Sequence, residues 1–211
     1  KLSTNATHNV SLASSCGKTC VTITVDQQTK LGRKDAWNTI QTVLTRTPKN
    51  FTVVLPAGLY RISRPLTVPS NIVFSGSTVN TTTLLLDRKN WSNFGYAFMI
   101  MPQKTSTGLS SHVSVKNMTL NGNRVAYQNV NSSAIPKVNQ GGGVKLGDSW
   151  TVDNVRLSNF NYFKVWCNNV TNVVVNNVKF EETTAGQSGD NDNIGGGNVN
   201  NSRFTHNYFG P

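Results

Sequence analysis

The 211-residue chain carries 20 Lys and Arg against 9 Asp and Glu, a net charge of +11, yet only 14% of its residues are charged. Asn, with 28 residues, fills the polar space that acids usually hold. Because Asn, Gly, Thr and Val are poor helix formers, coiled coils and helical bundles are excluded and an all-β protein is expected. One domain of this length can bury its own core, and no apolar run approaches the roughly 20 residues that cross a bilayer, so no membrane partner is expected.

In chain order, residues 1–30 read as a polar N-terminal extension with one β-like run, Val21 to Val25, and residues 31–211 as the body of the fold. Cys16 and Cys20 lie close enough for a small disulfide loop, and Cys167, set among apolar residues, reads as a buried free thiol. That usage suits an oxidising compartment. Nine N-x-S/T sequons fall at Asn5, Asn9, Asn50, Asn80, Asn90, Asn117, Asn131, Asn169 and Asn200. Their density predicts a secreted glycoprotein, with Asn5, Asn9, Asn50, Asn80, Asn90, Asn131 and Asn169 as the glycan carriers.

Residues 33–47 hold the only helical period: Ala36, Ile40, Val43 and Leu44 share a face, and Asp35 sits near the start, where the macrodipole favours an acid. Short β runs follow at Phe51 to Leu55, Leu59 to Ile62, Leu66 to Val68, Ile72 to Phe74 and Thr82 to Leu86, separated by Gly, Asn and Pro. The three Cys and three His never fall at ligand spacing, so no metal site is expected. The few acids leave room for at most a weak Ca²⁺ site, and no other cofactor is implied.

Internal repetition decides the fold class. A pattern V-x-N-x-x-[LF] occurs at Val115 to Leu120, Val152 to Leu157, Val175 to Phe180 and Val199 to Phe204, with first residues 37, 23 and 24 apart. A period near 23 is one coil of a parallel β-helix, and the longer step is a coil plus an insertion. Apolar residues alternate inward on either side of a corner that Asn occupies. Asn tolerates the left-handed backbone a corner needs, and its amide can bond to its counterpart one coil away. Asn117, Asn154, Asn177 and Asn201 are therefore expected to stack as a buried ladder.

These features resemble the right-handed parallel β-helix superfamily of pectate and pectin lyases, alginate lyases, polygalacturonases, mannuronan epimerases and phage tailspikes. Asp35 to Gln41 resembles its N-terminal capping helix, and Val53 to Ile62, with Pro56-Ala57-Gly58-Leu59-Tyr60, resembles its first coil. Leu66 to Ser77 resembles its second coil. The resemblance implies an all-β, single-stranded right-handed parallel β-helix of about seven coils, complete in itself or a portion of a longer solenoid.

The superfamily usually places its site on the outer face of the strand before the corner strand, which here comprises Gly143 to Asp148, Phe163 to Cys167 and Asp190 to Ile194. Alternation puts Val144, Leu146, Phe163, Val165 and Cys167 inside and Lys145, Lys164 and Trp166 outside. Two lysines about 4.8 Å apart on adjacent coils would attract an anion or depress one ammonium pKa. An acidic-polysaccharide lyase needs a cation for the uronate carboxylate and a base for the adjacent carbon-bound proton. Lys145, Lys164 and Asp192 are the catalytic candidates, and Trp166, Arg124 and Asp190 the substrate-binding ones. Gly189-Asp190-Asn191-Asp192 also resembles the polygalacturonase G-D-D motif, but it separates the acids by one residue.

The expected partner is an acidic polysaccharide, cleaved by β-elimination or epimerised. The rival reading is a non-catalytic extracellular structural or glycan-binding glycoprotein. Scattered basic residues speak against nucleic acid as the partner despite the net charge. The apolar Phe204 and Phe209 near the end predict that the C-terminal coil is covered, either by another chain or by a continuation of this one.

Overall fold

The computed structural model describes residues 19–91, 97–124, 141–181 and 192–210. The chain opens with β1 (Cys20–Thr22), α1 (Gln27–Lys30), β2 (Leu31–Asp35) and α2 (Trp37–Arg46). One coil follows as β3 (Phe51–Leu55), β4 (Gly58–Ile62) and β5 (Leu66–Val68). The next holds β6 (Ile72–Gly76), β7 (Thr82–Leu86), the short α3 (Arg88–Trp91) and β8 (Phe98–Pro102). A small hairpin, β9 (Lys104–Thr105) and β10 (Gly108–Leu109), leads into β11 (Ser114–Asn121) and β12 (Gly142–Lys145). Then come β13 (Thr151–Ser158) and β14 (Val165–Thr171), followed by β15 (Val174–Asn176), β16 (Lys179–Glu181) and β17 (Ile194–Asn200). The last strands are β18 (Arg203–Thr205) and β19 (Tyr208–Phe209).

Apart from the β9–β10 hairpin, the strand pairings among the described residues are parallel, each strand lying beside its counterpart one coil on. Three faces result. The first runs β1-β3-β6-β11-β13-β15-β18, the second β2-β4-β7-β11-β13-β16-β19, and the third β17-β14-β12-β8-β5. The long strands β11 and β13 belong to both the first and second faces because they turn the corner without breaking. This is a parallel β-helix, as the repeats predict. The strand at Cys20–Thr22 is part of it: β1 pairs with β3, so the extension drawn at residues 1–30 contributes an edge to the first face.

Period-two alternation stacks apolar residues into columns inside the solenoid. Val53, Phe74, Val115, Val152 and Val175 form one on the first face. Tyr60, Leu84, Leu120, Leu157 and Phe180 form another on the second. Leu66, Ile100, Val144 and Val165 form the third. All are fully buried. At the start, α2 buries Ile40, Val43 and Leu44, with Ala36 just before it, and lies against β5, the outermost strand of the third face. There the Gln41 amide replaces a neighbouring strand: its Nε2 donates to the Thr67 carbonyl and its Oε1 accepts the Thr67 N–H, both at 2.9 Å. Asp35 Oδ1 accepts the N–H of Trp37 and that of Ser63, tying the helix start to the coil below.

The corners explain the asparagine content. Of fourteen non-glycine residues with positive φ among the described ones, eleven are Asn. Between the first and second faces stand Asn117, Asn154 and Asn177, with φ of 57°, 52° and 50°. Asn177 Nδ2 donates to Asn154 Oδ1 at 3.2 Å, and Asn154 Nδ2 to Asn117 Oδ1 at 2.8 Å. Asn117 Nδ2 continues the row to Ser75 Oγ at 3.3 Å. Two expectations about this ladder are corrected. Asn117 and Asn154 are only half-buried and Asn177 is exposed, because the corner turns the amides along the solenoid edge rather than into its core.

The fourth member is also His206 and not Asn201. Val175 pairs with Phe204 and Phe180 with Phe209, so the repeat at Val175 continues in Phe204 to Phe209, 29 residues on, with His206 (φ 53°) at the corner. Asn201 instead joins Asn71, His112, Ser149 and Asn172 at the corner before the first face. The pattern at Val199 to Phe204 is a chance phase match across two corners of similar chemistry.

Candidate functional site

The outer face of the third sheet is set by register. Val144 pairs with Val165 and faces inward, so Lys145 and Trp166, one residue on, share an outward row as direct neighbours. Thr67 and Met101 continue that row on one side and Gly195 on the other. Lys145 and Trp166 are half-buried, while Leu146 and Cys167 behind them belong to the core. Burial pushes the Cys167 thiol pKa up, which leaves it a poor nucleophile at neutral pH.

Around Trp166 the structure assembles an aromatic cluster that alternation alone does not predict. Phe163 lies 4.7 Å from Trp166 and 4.8 Å from Tyr162, centroid to centroid, and Tyr162 is near-parallel to Trp166 at 6.5 Å. Phe98 closes the cluster 5.6 Å from Tyr162. Phe163 was expected inside, but β14 begins only at Val165, so its half-exposed ring turns outward instead. Two glycines make the space: a Cβ on Gly195 would stand 2.3 Å from the Phe163 ring, and one on Gly142 would stand 2.4 Å from the Phe98 ring. The aromatic run from Phe160 to Trp166 is the sequence signal for this cluster.

The same late start of β14 displaces Lys164. It was expected on the exposed face beside Lys145, but its backbone lies beside Gly143 and Val144, and the residue is 1% exposed. Its Nζ donates to Asn193 Oδ1 at 2.8 Å, and its backbone N–H donates to the Asp192 carbonyl. Alternation fails here because Lys164 occupies a bend, where successive side chains need not point to opposite faces. The two lysines therefore do not form one anion site, and Lys145 is the lysine of the outward row.

Asp192 is exposed at the rim where β17 begins, next to the Asn193 that Lys164 holds. Arg124 is 6% exposed, packed where the chain leaves β11 with its N–H donating to the Asn159 carbonyl. Asp190 lies outside the described residues, as do Cys16, the expected disulfide partner of Cys20, and Asn5, Asn9 and Asn131, three of the expected glycan carriers. Asn50, Asn80, Asn90 and Asn169 are exposed, as glycan carriers must be. Among the described residues no group of three or more His, Cys, Asp or Glu is placed to hold a metal ion.

The profile that matches the chain, over residues 28–209, describes "Rhamnogalacturonase A/epimerase, pectate lyase-like" proteins. Among solved structures, the surface adhesin PfbA of Streptococcus pneumoniae superposes with a TM-score of 0.66 at 16% identity, covering 86% of this chain and 47% of its own. The A-module of mannuronan C-5 epimerase AlgE4 from Azotobacter vinelandii gives 0.55 at 15% identity, covering 84% and 47%. The catalytic unit of a GH87 α-1,3-glucanase from Streptomyces thermodiastaticus gives 0.56 at 16%, covering 95% and 32%. At these identities the likeness is one of fold. The chain spans less than half the length of each of these three structures. No curated protein matches the sequence.

Proposed function

The chain belongs to the rhamnogalacturonase A/epimerase, pectate lyase-like family, and from that membership we propose that it is a secreted carbohydrate-active β-helix whose third face binds an acidic polysaccharide. The observation that carries this reading is the Trp166, Tyr162 and Phe163 cluster with Lys145 in register beside Trp166. Aromatic faces stack on the apolar faces of sugar rings, and an adjacent ammonium pairs with a uronate carboxylate. Neutralising that carboxylate acidifies the neighbouring carbon-bound proton, which is what β-elimination and C-5 epimerisation both require.

In this reading Lys145 neutralises the carboxylate, Trp166 stacks on the sugar, and Asp192 at the rim takes the proton. Lys164 acts as a positioning residue through Asn193, whose neighbour is Asp192. Secretion accords with the sequons and with the likeness to a surface adhesin. The burial of Lys164 favours a second reading, binding without turnover, because it removes one of two expected cations from the face.

The test is incubation with pectate and with alginate, following ultraviolet absorbance of the unsaturated uronate and, by NMR, inversion at C-5. Binding is measured in parallel by affinity electrophoresis. Lys145→Ala should weaken binding at least tenfold, since a charge-assisted contact contributes roughly 1.5–3 kcal/mol, and should flatten its salt dependence. Binding without product selects the second reading. Parental binding by both Lys145→Ala and Trp166→Ala removes the site from this face.

A further inference from the structure

The outer face of the first sheet carries a second polar groove, one face round from the aromatic cluster. It encloses about 400 Å³ and is lined by Thr151 and Asp153 of β13, Val174 and Asn176 of β15, Arg203 and Thr205 of β18, and His206 at the following corner. Register lines up Asp153, Asn176 and Thr205 on three successive strands, with Lys116 one strand beyond Asp153.

The hydrogen bonds across this row fix its polarity. Asn176 Nδ2 donates to Asp153 Oδ1 at 2.7 Å, because an ionised carboxylate can only accept. Asn176 Oδ1 therefore faces the other way, where it meets Thr205 Oγ1 at 2.9 Å and His206 Nδ1 at 3.0 Å. An amide oxygen can only accept, so both of these partners donate and His206 carries its proton on Nδ1. In that tautomer Nε2 is an acceptor, turned away from Asn176. Arg203, by contrast, makes no ion pair or side-chain hydrogen bond among the described residues.

The groove thus offers a free guanidinium at one end and a carboxylate with a remaining acceptor oxygen at the other. The strands β13 and β18 that carry them are two spacings, roughly 9.6 Å, apart. A fork-shaped guanidinium matches a carboxylate, and a carboxylate oxygen takes sugar hydroxyls. We infer that this groove is a second glycan site, separate from the third face, that holds one uronic-acid residue with its carboxylate on Arg203 and hydroxyls on Asp153 and His206 Nε2.

The inference is tested by NMR titration of the intact chain with D-glucuronate and, in a second arm, D-glucose, which differs in lacking the carboxylate. The expected result is that glucuronate shifts the Asp153, Asn176 and Arg203 amides and the His206 imidazole nitrogens, with the proton on Nδ1. Arg203→Gln should weaken glucuronate at least tenfold, as read on the Asp153 and Asn176 amides, and abolish its preference over glucose there. The Arg203 side chain has no bond to another described residue to lose, and its backbone N–H bond to the Val173 carbonyl is kept in the variant, so the fold is kept. The proposal is overturned if saturating glucuronate moves none of these resonances, if the shifts gather around Trp166 instead, or if Arg203→Gln binds as the parent does. Loss of the third-face site with this titration intact would sink only the reading of the previous section.

Discussion

At the scale of single residues, the corner asparagines do two things at once. They adopt a backbone that costs other L-residues roughly 1–2 kcal/mol, and their amides bond to the next coil. Asn154 lies between Asn117 and Asn177 and bonds to both. Asn154→Leu should therefore cost about 1–3 kcal/mol, read as a lower urea midpoint, and Asn154→Gly should cost less because glycine keeps the left-handed backbone freely. Equal losses in the two variants would place the whole effect in the side-chain bonds. Exposure of Asn177 predicts a smaller loss for Asn177→Leu, since solvent can replace its partner. Tyr60 gives a pH prediction. Its phenol is buried, donates to the Pro56 carbonyl at 3.0 Å, and has its pKa pushed up to about 12 from 10.0 by burial. A raised folded pKa stabilises the fold fully below the unfolded value, and that stability fades as pH rises from 10 through 12. Urea titrations across this window should lose about 2–3 kcal/mol more in the parent than in Tyr60→Phe.

At the scale of elements, the third face depends on glycines as much as on aromatics. Gly195 pairs with Trp166 and leaves the room that the Phe163 ring fills. Gly195→Ala should push that half-exposed ring aside with little loss of global stability, change the near-ultraviolet circular dichroism, and weaken polysaccharide binding severalfold. An unaltered dichroism spectrum would show that the ring does not rest there. Gly196 is under a tighter constraint: its φ is 135°, and a Cβ would lie 1.7 Å from the Cys167 carbonyl oxygen, so no side chain fits. Backbone geometry at this strand therefore shapes the face that the glycan would meet.

At the scale of the whole molecule, the columns that fill the core reach the surface at one end. Phe204 and Phe209 continue the inward columns of Val175 and Phe180, yet they are 41% and 56% exposed, and Phe209 stacks on Phe180 at 4.8 Å. In a solenoid each coil covers its neighbour, so a further coil, from this chain or from another, is the proposed cover. The 211 residues alone should bind a hydrophobic dye, and Phe204→Ser with Phe209→Ser should reduce that binding. A dye-silent parent that light scattering shows to be monomeric would refute the proposal.

The solenoid was legible in the sequence because period-two alternation and a corner every coil are local properties: within six residues Val152 and Leu157 announce that they point inward and Asn154 that it stands at a corner. Lys145 and Trp166 were legible for the same reason, each lying within a regular strand. What the tertiary structure alone decided lies where the strand pattern stops. Lys164 precedes β14 by one residue, and its burial follows from what packs over the bend rather than from alternation. The phase of the last coil was also hidden, since Asn201 and His206 both suit a left-handed corner and only pairing with β15 tells them apart. The groove around Asp153, Asn176 and His206 draws on residues from three coils, up to 55 positions apart, that become neighbours only when the coils stack. Local sequence fixes where a side chain points within its strand, whereas stacking fixes which side chains it meets.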